Sequence, residues 1–351
     1  MAAADPHPVW LSHGQLSVLG TGVALPGPPV ASDALIGQIT QRFSVPGQRR
    51  AQAIAQRLAI ETRHLCRDFD AATEPARPGH ANPDLAAQAV TRALSEAGLE
   101  IDDIGYLIGH TATPVQPLPG NIALAADRLG YRGPHLELRQ ACTGFANALM
   151  IAFGLLSVPD ARPVAIVGSE TGSLFFDPHD IARDPGQLVN MVQMGDGAGA
   201  IVLGPSAPTG ATISAAWFGS IGLGRSPGLQ VHAAAPRRFD HDFAAILASG
   251  SLLFDAGRAA ALRHGISLDA VDTIIPHQVS GRIGRQAAAH FGMAPERFFV
   301  NADRVGNTGS AAIWIALAAL RETAPTAGSR ALVLGAEATK FMHGGFVYEH
   351  G

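Results

Sequence analysis

Two stretches, "GLEIDDIGYLIGH" (98–110) and "GISLDAVDTIIPH" (265–277), decide the fold because they are versions of one pattern. They lie 167 residues apart, and both run from a glycine to a terminal histidine, His110 in the first and His277 in the second. The apolar positions between these ends also correspond. Similarity at one fixed offset is the sign of a duplicated structural unit. The sequence therefore predicts a molecule with two similar halves.

The same offset matches further positions. It places Cys142 on Gly309 and Glu170 on Glu337. The segment "GPSAPTG" (204–210) is rich in proline, glycine and serine, as expected of a connection between structural units. We therefore assign residues 1–205 to an N-terminal half and residues 206–351 to a C-terminal half.

Each half alternates short apolar segments with segments of helical periodicity, which predicts an α/β fold. The predicted helices are 84–99, 121–130, 143–156, 281–291 and 310–321. The predicted strands are 104–110, 135–140, 163–170, 195–204, 297–301 and 330–336.

Composition excludes several classes of protein. The chain is 47% hydrophobic and 15% charged, and its net charge of −4 gives no reason to expect a nucleic-acid partner. We expect no membrane span, because the longest apolar stretch that we identify, 311–320, is shorter than the roughly 20 residues that cross a bilayer. The N-terminus shows no signal-peptide pattern. Two cysteines make no disulfide framework, so we expect a cytoplasmic protein.

Cys142 is the first candidate for chemistry. It stands in "LRQACTGFANALM" (138–150), where a predicted strand ends and a predicted helix begins. The free N–H groups at a helix N-terminus favour negative charge, which predicts a lowered pKa for the thiol. Small neighbouring residues leave room for a substrate carbonyl. A lone cysteine is more often a small buried apolar residue, and we interpret Cys66 in that way.

His277 and Asn307 are the candidates to share the site with Cys142. They stand in the second-half segments "PHQVS" (276–280) and "GNTGSAA" (306–312), which symmetry would bring to the centre of the molecule. A cysteine can carry an acyl group as a thioester, while histidine and asparagine polarise a carbonyl or hold an oxyanion. Asn307 could instead simply cap the following helix. The three residues together predict an acyl-transfer site.

These motifs resemble those of the thiolase-fold condensing enzymes, and most of all the β-ketoacyl-ACP synthase III family. The resemblance spans nearly the whole chain and rests on "ACTGFANAL", "MGDGAGAIVLG", "PHQ" and "GNTGSAA". It implies a five-layered αβαβα fold built from two similar halves, and a homodimer. It also implies that Cys142 is the acylated nucleophile, and that His277 and Asn307 assist decarboxylation of a malonyl thioester on acyl carrier protein. Acyl-CoA or acyl-carrier thioesters are then substrates, and no metal or redox cofactor is implied.

The resemblance also implies roles around this site. They are backbone oxyanion-hole amides at Cys142 and Thr339, a site-ordering role for Ser280, contacts to CoA or the carrier protein by Arg57, Arg282 and Arg285, and an acyl-pocket gate at Leu118.

Residue types separate the chain from several relatives. No cysteine follows Cys142, so the second cysteine of thiolases is missing, and the third position is Asn307 where elongating ketosynthases have histidine. Segment 109–126, where a glutamate base of the non-decarboxylating enzymes would stand, has no acidic residue. These features favour decarboxylative condensation or a simple acyl transfer.

Four departures from the family pattern suggest a specialised fatty-acid or polyketide pathway. Ala53 replaces the tryptophan that stacks on CoA, "HQVS" replaces "HQAN", and 338–340 lacks the usual glycines. The segment 219–252 is short and contains an Arg/Asp/His-rich stretch at 237–242. Two alternatives stay open at this stage. The first is an acyltransferase that passes the acyl group to an alcohol or amine, and the second is a non-catalytic partner subunit.

Overall fold

The computed structural model describes residues 9–69, 78–231 and 238–351. Residue 237, the first of the Arg/Asp/His-rich stretch, lies outside these ranges. The strands are β1 (Val9–Leu11), β2 (Gln15–Ala24), β3 (Val30–Ala31), β4 (Thr62–Arg63), β5 (Tyr106–His110), β6 (His135–Leu138), β7 (Val164–Glu170), β8 (Gly197–Gly204), β9 (Thr212–Ser220), β10 (Leu229–Val231), β11 (Phe239–His241), β12 (Thr273–Pro276), β13 (Arg330–Glu337) and β14 (Met342–Glu349). The helices are α1 (Ser32–Arg42), α2 (Gln48–Leu58), α3 (Asn82–Ala97), α4 (Asn121–Leu129), α5 (Gly144–Leu155), α6 (Gln187–Gln193), α7 (Phe243–Arg263), α8 (Ile283–Phe291), α9 (Ala302–Val305) and α10 (Ala312–Glu322).

The sheet topology repeats on either side of its centre. One continuous sheet has the order β12-β13-β14-β9-β2-β8-β7-β5-β6, with β1 beside β9. Outward from β2 the order is β8, β7, β5, and outward from β9 it is β14, β13, β12. In both directions two antiparallel pairings are followed by a parallel one. The prediction of two similar halves is therefore confirmed.

The pair α5 and α10 forms the middle layer of the fold. Both helices contribute to one core with apolar residues from both halves of the sheet, and the rings of Phe145 and Trp314 meet edge to face with centroids 6.0 Å apart. Helices α3 and α4 cover the outer face of the first half, while α7 and α8 cover that of the second. The layers are therefore the outer helices of the first half, the first half of the sheet, the central helix pair, the second half of the sheet and the outer helices of the second half. This is the predicted five-layered arrangement.

The middle layer is tight where α5 begins. A Cβ atom on Gly144 would lie 2.6 Å from Nδ1 of His110, and one on Gly168 would lie 2.7 Å from Cε1 of the same ring. The ring of His110 fills this space, and its Nε2 accepts a hydrogen bond from Nε1 of Trp314 at 3.0 Å. His110 thus has a structural role, although it matches His277 in the repeat.

The predicted strand at 297–301 is wrong. The second half has only an isolated bridge between Ile274 and Phe298 where the first half has β6. The backbone N–H of Phe299 still bonds to Ile274, but the backbone N–H of Asn301 bonds instead to the side chain of Gln278 at 3.0 Å. The segment therefore cannot extend its pairing along β12.

Helix α7 has the length and apolar composition of a membrane span, and it is the only such helix in the described part of the chain. It packs on β13 and β14 as an outer layer of the fold. The apolar stretch 311–320 forms most of α10, which is buried in the middle layer. The proposed division at residue 205 falls between the end of β8 and the start of β9, and it stays a prediction.

Candidate active site

Cys142 lies between β6 and α5 and lines a small pocket, the inner chamber, with a volume of about 70 Å³. Asn307 and Glu170 line the same chamber. The Cys142 side chain is partly accessible. Cys66, in contrast, is fully buried, as predicted. The repeat thus brings one residue from the second half against Cys142 from the first.

A wider space, the outer chamber, adjoins the inner one. Its volume is about 370 Å³, and the two chambers share wall residues that include Leu229 and Phe239. Arg139, Glu337 and Thr339 line the outer chamber, but Cys142 does not. The thiol is therefore reached from the outer chamber only where the two chambers adjoin.

Hydrogen bonds from both the backbone and the side chain of Asn307 fix its position. Its N–H donates to the carbonyl of Gln193 at 2.7 Å, and its Oδ1 accepts from the N–H of Gly309 at 3.0 Å. The amide oxygen thus has a partner near the start of α10, and the amide N–H₂ group is the part that is available to a substrate.

His277 follows β12 directly and is buried. Its backbone N–H donates to Leu334 of β13 at 2.9 Å, and β13 ends at Glu337, whose carboxylate contacts Thr143 beside Cys142. His277 is therefore at the same sheet edge as the thiol. Burial lowers the pKa of His277 to about 4, so the ring is neutral near pH 7. Its Nδ1 has no hydrogen-bond partner among the described residues.

The predicted lowering of the Cys142 pKa is wrong for the free protein. Burial raises the pKa of the thiol well above its ordinary value, and the carboxylates of Glu337 and Glu170 raise it further. The reason lies at the start of α5. Oε2 of Glu337 accepts hydrogen bonds from the backbone N–H of Thr143 at 2.8 Å and from its Oγ1 at 2.7 Å, so this N–H already has an anionic partner.

Glu170 is a site residue that the search of 109–126 missed, because it comes from β7. Its Oε2 accepts from the N–H of Ser310 at 3.0 Å and from Oγ of Ser310 at 2.6 Å, while Oε1 accepts from the hydroxyl of Thr113. Burial raises the pKa of this carboxyl. The signal was in the sequence, since Glu170 and Glu337 occupy matching positions in the repeat.

Three further predicted site residues, Thr339, Ser280 and Leu118, lie in different surroundings. Thr339 lines the outer chamber, and its hydroxyl donates to Glu337. Ser280 is buried, and its carbonyl accepts from the N–H of Ile283. Leu118 is 85% exposed and lines neither chamber of its own chain. The roles assigned to these three residues stay predictions.

The predicted cationic residues do form a cluster. Arg57, Arg282 and Arg285 are all exposed, and Nη2 of Arg282 donates to the carbonyl of Gln56 at 3.1 Å. This bond brings the start of α8 against the end of α2, where Arg57 lies. The described residues contain no group of three or more His, Cys, Asp or Glu side chains that could hold a metal ion.

Comparison with known proteins decides the family. The model for 3-oxoacyl-[acyl-carrier-protein] synthase III matches residues 136–222, and the model for the C-terminal part of these enzymes matches residues 262–348. AbyA1, a tetronic acid condensing enzyme, is 30% identical, with a TM-score of 0.82 over 95% of this chain and 99% of its own. The protein belongs to the 3-oxoacyl-ACP synthase III family.

Two further members of the synthase III family are similar along nearly their whole length. The Aquifex aeolicus VF5 enzyme is 25% identical, with a TM-score of 0.77 over 95% of this chain and 100% of its own. The Pseudomonas aeruginosa PAO1 enzyme is 26% identical, with a TM-score of 0.78 over 96% and 98%. In this synthase III family member, the segment that matches the first family model contains Cys142. The segment that matches the C-terminal model contains His277 and Asn307.

Proposed function

We propose that this synthase III family member carries an acyl group on Cys142. It joins that group to a malonyl-type thioester on acyl carrier protein by decarboxylative Claisen condensation. The supporting observation is that Cys142 and Asn307 line one chamber while His277 lies at the same sheet edge. A nucleophile and two neutral hydrogen-bond donors are the groups that such a reaction needs.

Acylation comes first. Sγ of Cys142 attacks the carbonyl carbon of the incoming thioester, the bond to the leaving thiol breaks, and that thiol departs with the proton. The tetrahedral oxyanion is held by the backbone N–H groups of Cys142 and Thr339. Because burial and two carboxylates raise the pKa of Cys142, the thiol is protonated in the free protein. The leaving thiolate is therefore the final acceptor of the cysteine proton.

Condensation follows on the second thioester. The N–H of neutral His277 and the amide N–H₂ of Asn307 donate to the thioester carbonyl oxygen of the malonyl unit. As the bond to the carboxylate breaks and CO₂ leaves, its electron pair forms an enolate that these donors stabilise. The enolate carbon attacks the acyl carbonyl on Cys142, and the carbon–sulfur bond breaks to release the β-ketoacyl carrier. The bonding electrons stay on Sγ, and the resulting thiolate takes a proton from solvent to restore the free thiol.

One observation favours a second candidate function. The carboxyl of Glu170 lines the inner chamber beside Cys142, and its raised pKa suits proton acceptance from an alcohol or amine. The acyl group would then pass to that acceptor as an ester or amide. The description of AbyA1 as a condensing enzyme supports the first candidate.

The proposal includes the assembly and the setting. We place the enzyme in the cytoplasm as a homodimer, with acyl carrier protein as partner and with no resident cofactor. The thioesters are substrates. A homodimer would allow Leu118, which is exposed and does not line the chambers of its own chain, to reach a chamber of the partner.

The test is intact-protein mass after incubation with acyl-CoA and acyl-carrier donors, followed by a malonyl-carrier chase, with Cys142→Ala as the control. The proposal predicts an acyl mass on the wild type alone, discharged with release of CO₂ into a β-ketoacyl carrier. Stable loading that only an alcohol or amine discharges would establish the second candidate. No adduct from any donor would favour the non-catalytic subunit.

A further inference from the structure

The hairpin formed by β10 and β11 closes one side of the inner chamber and brings a histidine into its wall. Leu229 pairs with His241 across the hairpin, and both residues line the chamber with Phe239. His241 belongs to the Arg/Asp/His-rich stretch, to which the proposed reaction gives no role. It is the only histidine in the wall of that chamber among the described residues.

The His241 ring is held by an aromatic neighbour, and one of its nitrogens has no hydrogen-bond partner among the described residues. It stacks on Phe243 with centroids 5.0 Å apart and planes 3° from parallel. Its Nδ1 is buried without a hydrogen-bond partner among the described residues. Burial lowers the pKa of this imidazole to about 4, so near neutral pH it offers one N–H donor and one nitrogen acceptor. A hydroxyl or oxo group of a ligand in the chamber can pair with one of these two nitrogens.

The inner chamber is the space that must receive the acyl chain. Cys142 lines this chamber and not the outer one, so an acyl group bonded to Sγ extends into it. Its volume of about 70 Å³ is small. A dry cavity of roughly 150 Å³ is what binds benzene in a protein interior. The chamber therefore suits an acyl chain of only a few carbons.

The wall of the inner chamber combines apolar and polar side chains. Phe176, Met194 and Phe239 supply carbon surface, whereas Asn190 and Gln193 of α6 add amides beside His241. Nδ2 of Asn190 donates to Gln187 at 2.8 Å, which leaves its carbonyl oxygen as an acceptor. Ligand pockets of this kind place a few polar groups in an apolar wall to fix orientation and specificity.

We propose that His241 is a specificity residue that hydrogen-bonds a hydroxyl or oxo substituent on a short acyl group carried by Cys142. The enzyme therefore takes a polar-substituted acyl thioester in preference to the plain alkyl one of the same length. This inference rests on the proposed function, because it needs an acyl group on Cys142. It goes further by naming the class of acyl group and the residue that selects it.

The experiment is a competition for Cys142. Equimolar thioesters of butyrate and of 2-hydroxy- or 3-hydroxybutyrate, presented on CoA and on the carrier protein, are offered in a single turnover. The masses of the adducts are then compared. The wild type should load at least one hydroxy isomer about tenfold faster, since a site built to bind a hydroxyl rejects the analogue that lacks it. His241→Leu should abolish or reverse this ratio.

Two further variants keep the result interpretable. His241→Gln retains a donor and an acceptor and should retain part of the preference, whereas a purely structural role would leave the ratio unchanged in both variants. His13→Leu changes an exposed histidine in the turn before β2 and should behave as the wild type. Equal loading of both thioesters by the wild type, or an unchanged ratio in His241→Leu, would overturn the inference alone. Absence of any Cys142 adduct would overturn the proposed function with it.

Discussion

The Glu337 carboxylate accepts a hydrogen bond from the backbone N–H of Thr143 at 2.8 Å and another from the Thr143 hydroxyl at 2.7 Å. Glu337 ends β13 in the second half, while Thr143 precedes α5 in the first half and adjoins Cys142. This contact links the two halves at the thiol. It also places a negative charge where the helix N-terminus alone would have favoured a thiolate.

Glu337→Gln should lower the pKa of Cys142. The thiolate is the charged form, so removal of a neighbouring negative charge stabilises it, while the glutamine carbonyl can still accept from Thr143. We expect the pH profile of alkylation by iodoacetamide, read by intact mass, to shift to lower pH. Glu349→Gln, at the exposed far end of β14, is the matched control and should leave the profile unchanged. Coincident profiles for Glu337→Gln and the wild type would contradict this prediction.

Gly144→Ala should destabilise the fold. Its Cβ would lie 2.6 Å from Nδ1 of the buried His110 ring, and overpacking of this kind costs about 1–3 kcal/mol of unfolding free energy. Gly154→Ala on the same helix is the control, because a Cβ there meets nothing within 4 Å. The control should be neutral or stabilising by about 0.4–1 kcal/mol. Denaturant unfolding of both variants measures the difference, and equal midpoints would count against the tight contact.

His277→Ala and Asn307→Ala should separate the two half-reactions. If both side chains act on the malonyl carbonyl, each variant should lose about 10²–10³ in the condensation rate, the usual loss for one oxyanion donor. Loading of Cys142 should remain within a few-fold of the wild type. Single-turnover loading and β-ketoacyl product formation measure the two steps. Equal losses in both steps would mean that these residues are needed for the thiol itself.

Charge reversal at the Arg cluster should affect only carrier-bound substrates. Arg57→Glu with Arg285→Glu places acidic groups on an exposed face, which should repel an acidic carrier and lower its association rate. The rate with acyl-carrier donors should fall at least tenfold at low salt and partly recover as salt screens the repulsion, while N-acetylcysteamine thioesters should load normally. Arg132→Glu, exposed after α4, is the control. An equal loss with both donors would instead indicate damage to the chambers.

Much of the fold follows from local sequence. The strands at 106–110, 164–170 and 330–337 lie where the apolar segments predicted them, because buried strands need continuous apolar runs. The strand at 297–301 failed, since the Asn301 N–H bonds to the side chain of Gln278, a partner distant in sequence. Periodicity reports which face of a segment is buried, but it does not report where each backbone donor finds its acceptor.

The features of the active site also separate into those that the sequence predicts and those that it does not. Cys142, His277 and Asn307 could be identified because each stands at the end of an element within a repeated pattern, and their catalytic roles stay predictions. The pKa of Cys142 could not be predicted, because burial and two carboxylates raise it, and one of these carboxylates, Glu337, is contributed by the opposite half. His241 could not be placed either, since only the β10–β11 hairpin carries it to the inner chamber.

The sequence by itself determined the duplication, the alternation of strands and helices, and the candidate residues at the ends of strands. These features depend on periodicity and on short spacings along the chain. Only the tertiary structure decided which charges surround the thiol, how small the inner chamber is, and which histidine lies in its wall. The physical reason is that electrostatic energies and cavity volumes depend on distances between atoms. Within this site, those distances join residues that lie far apart in the chain.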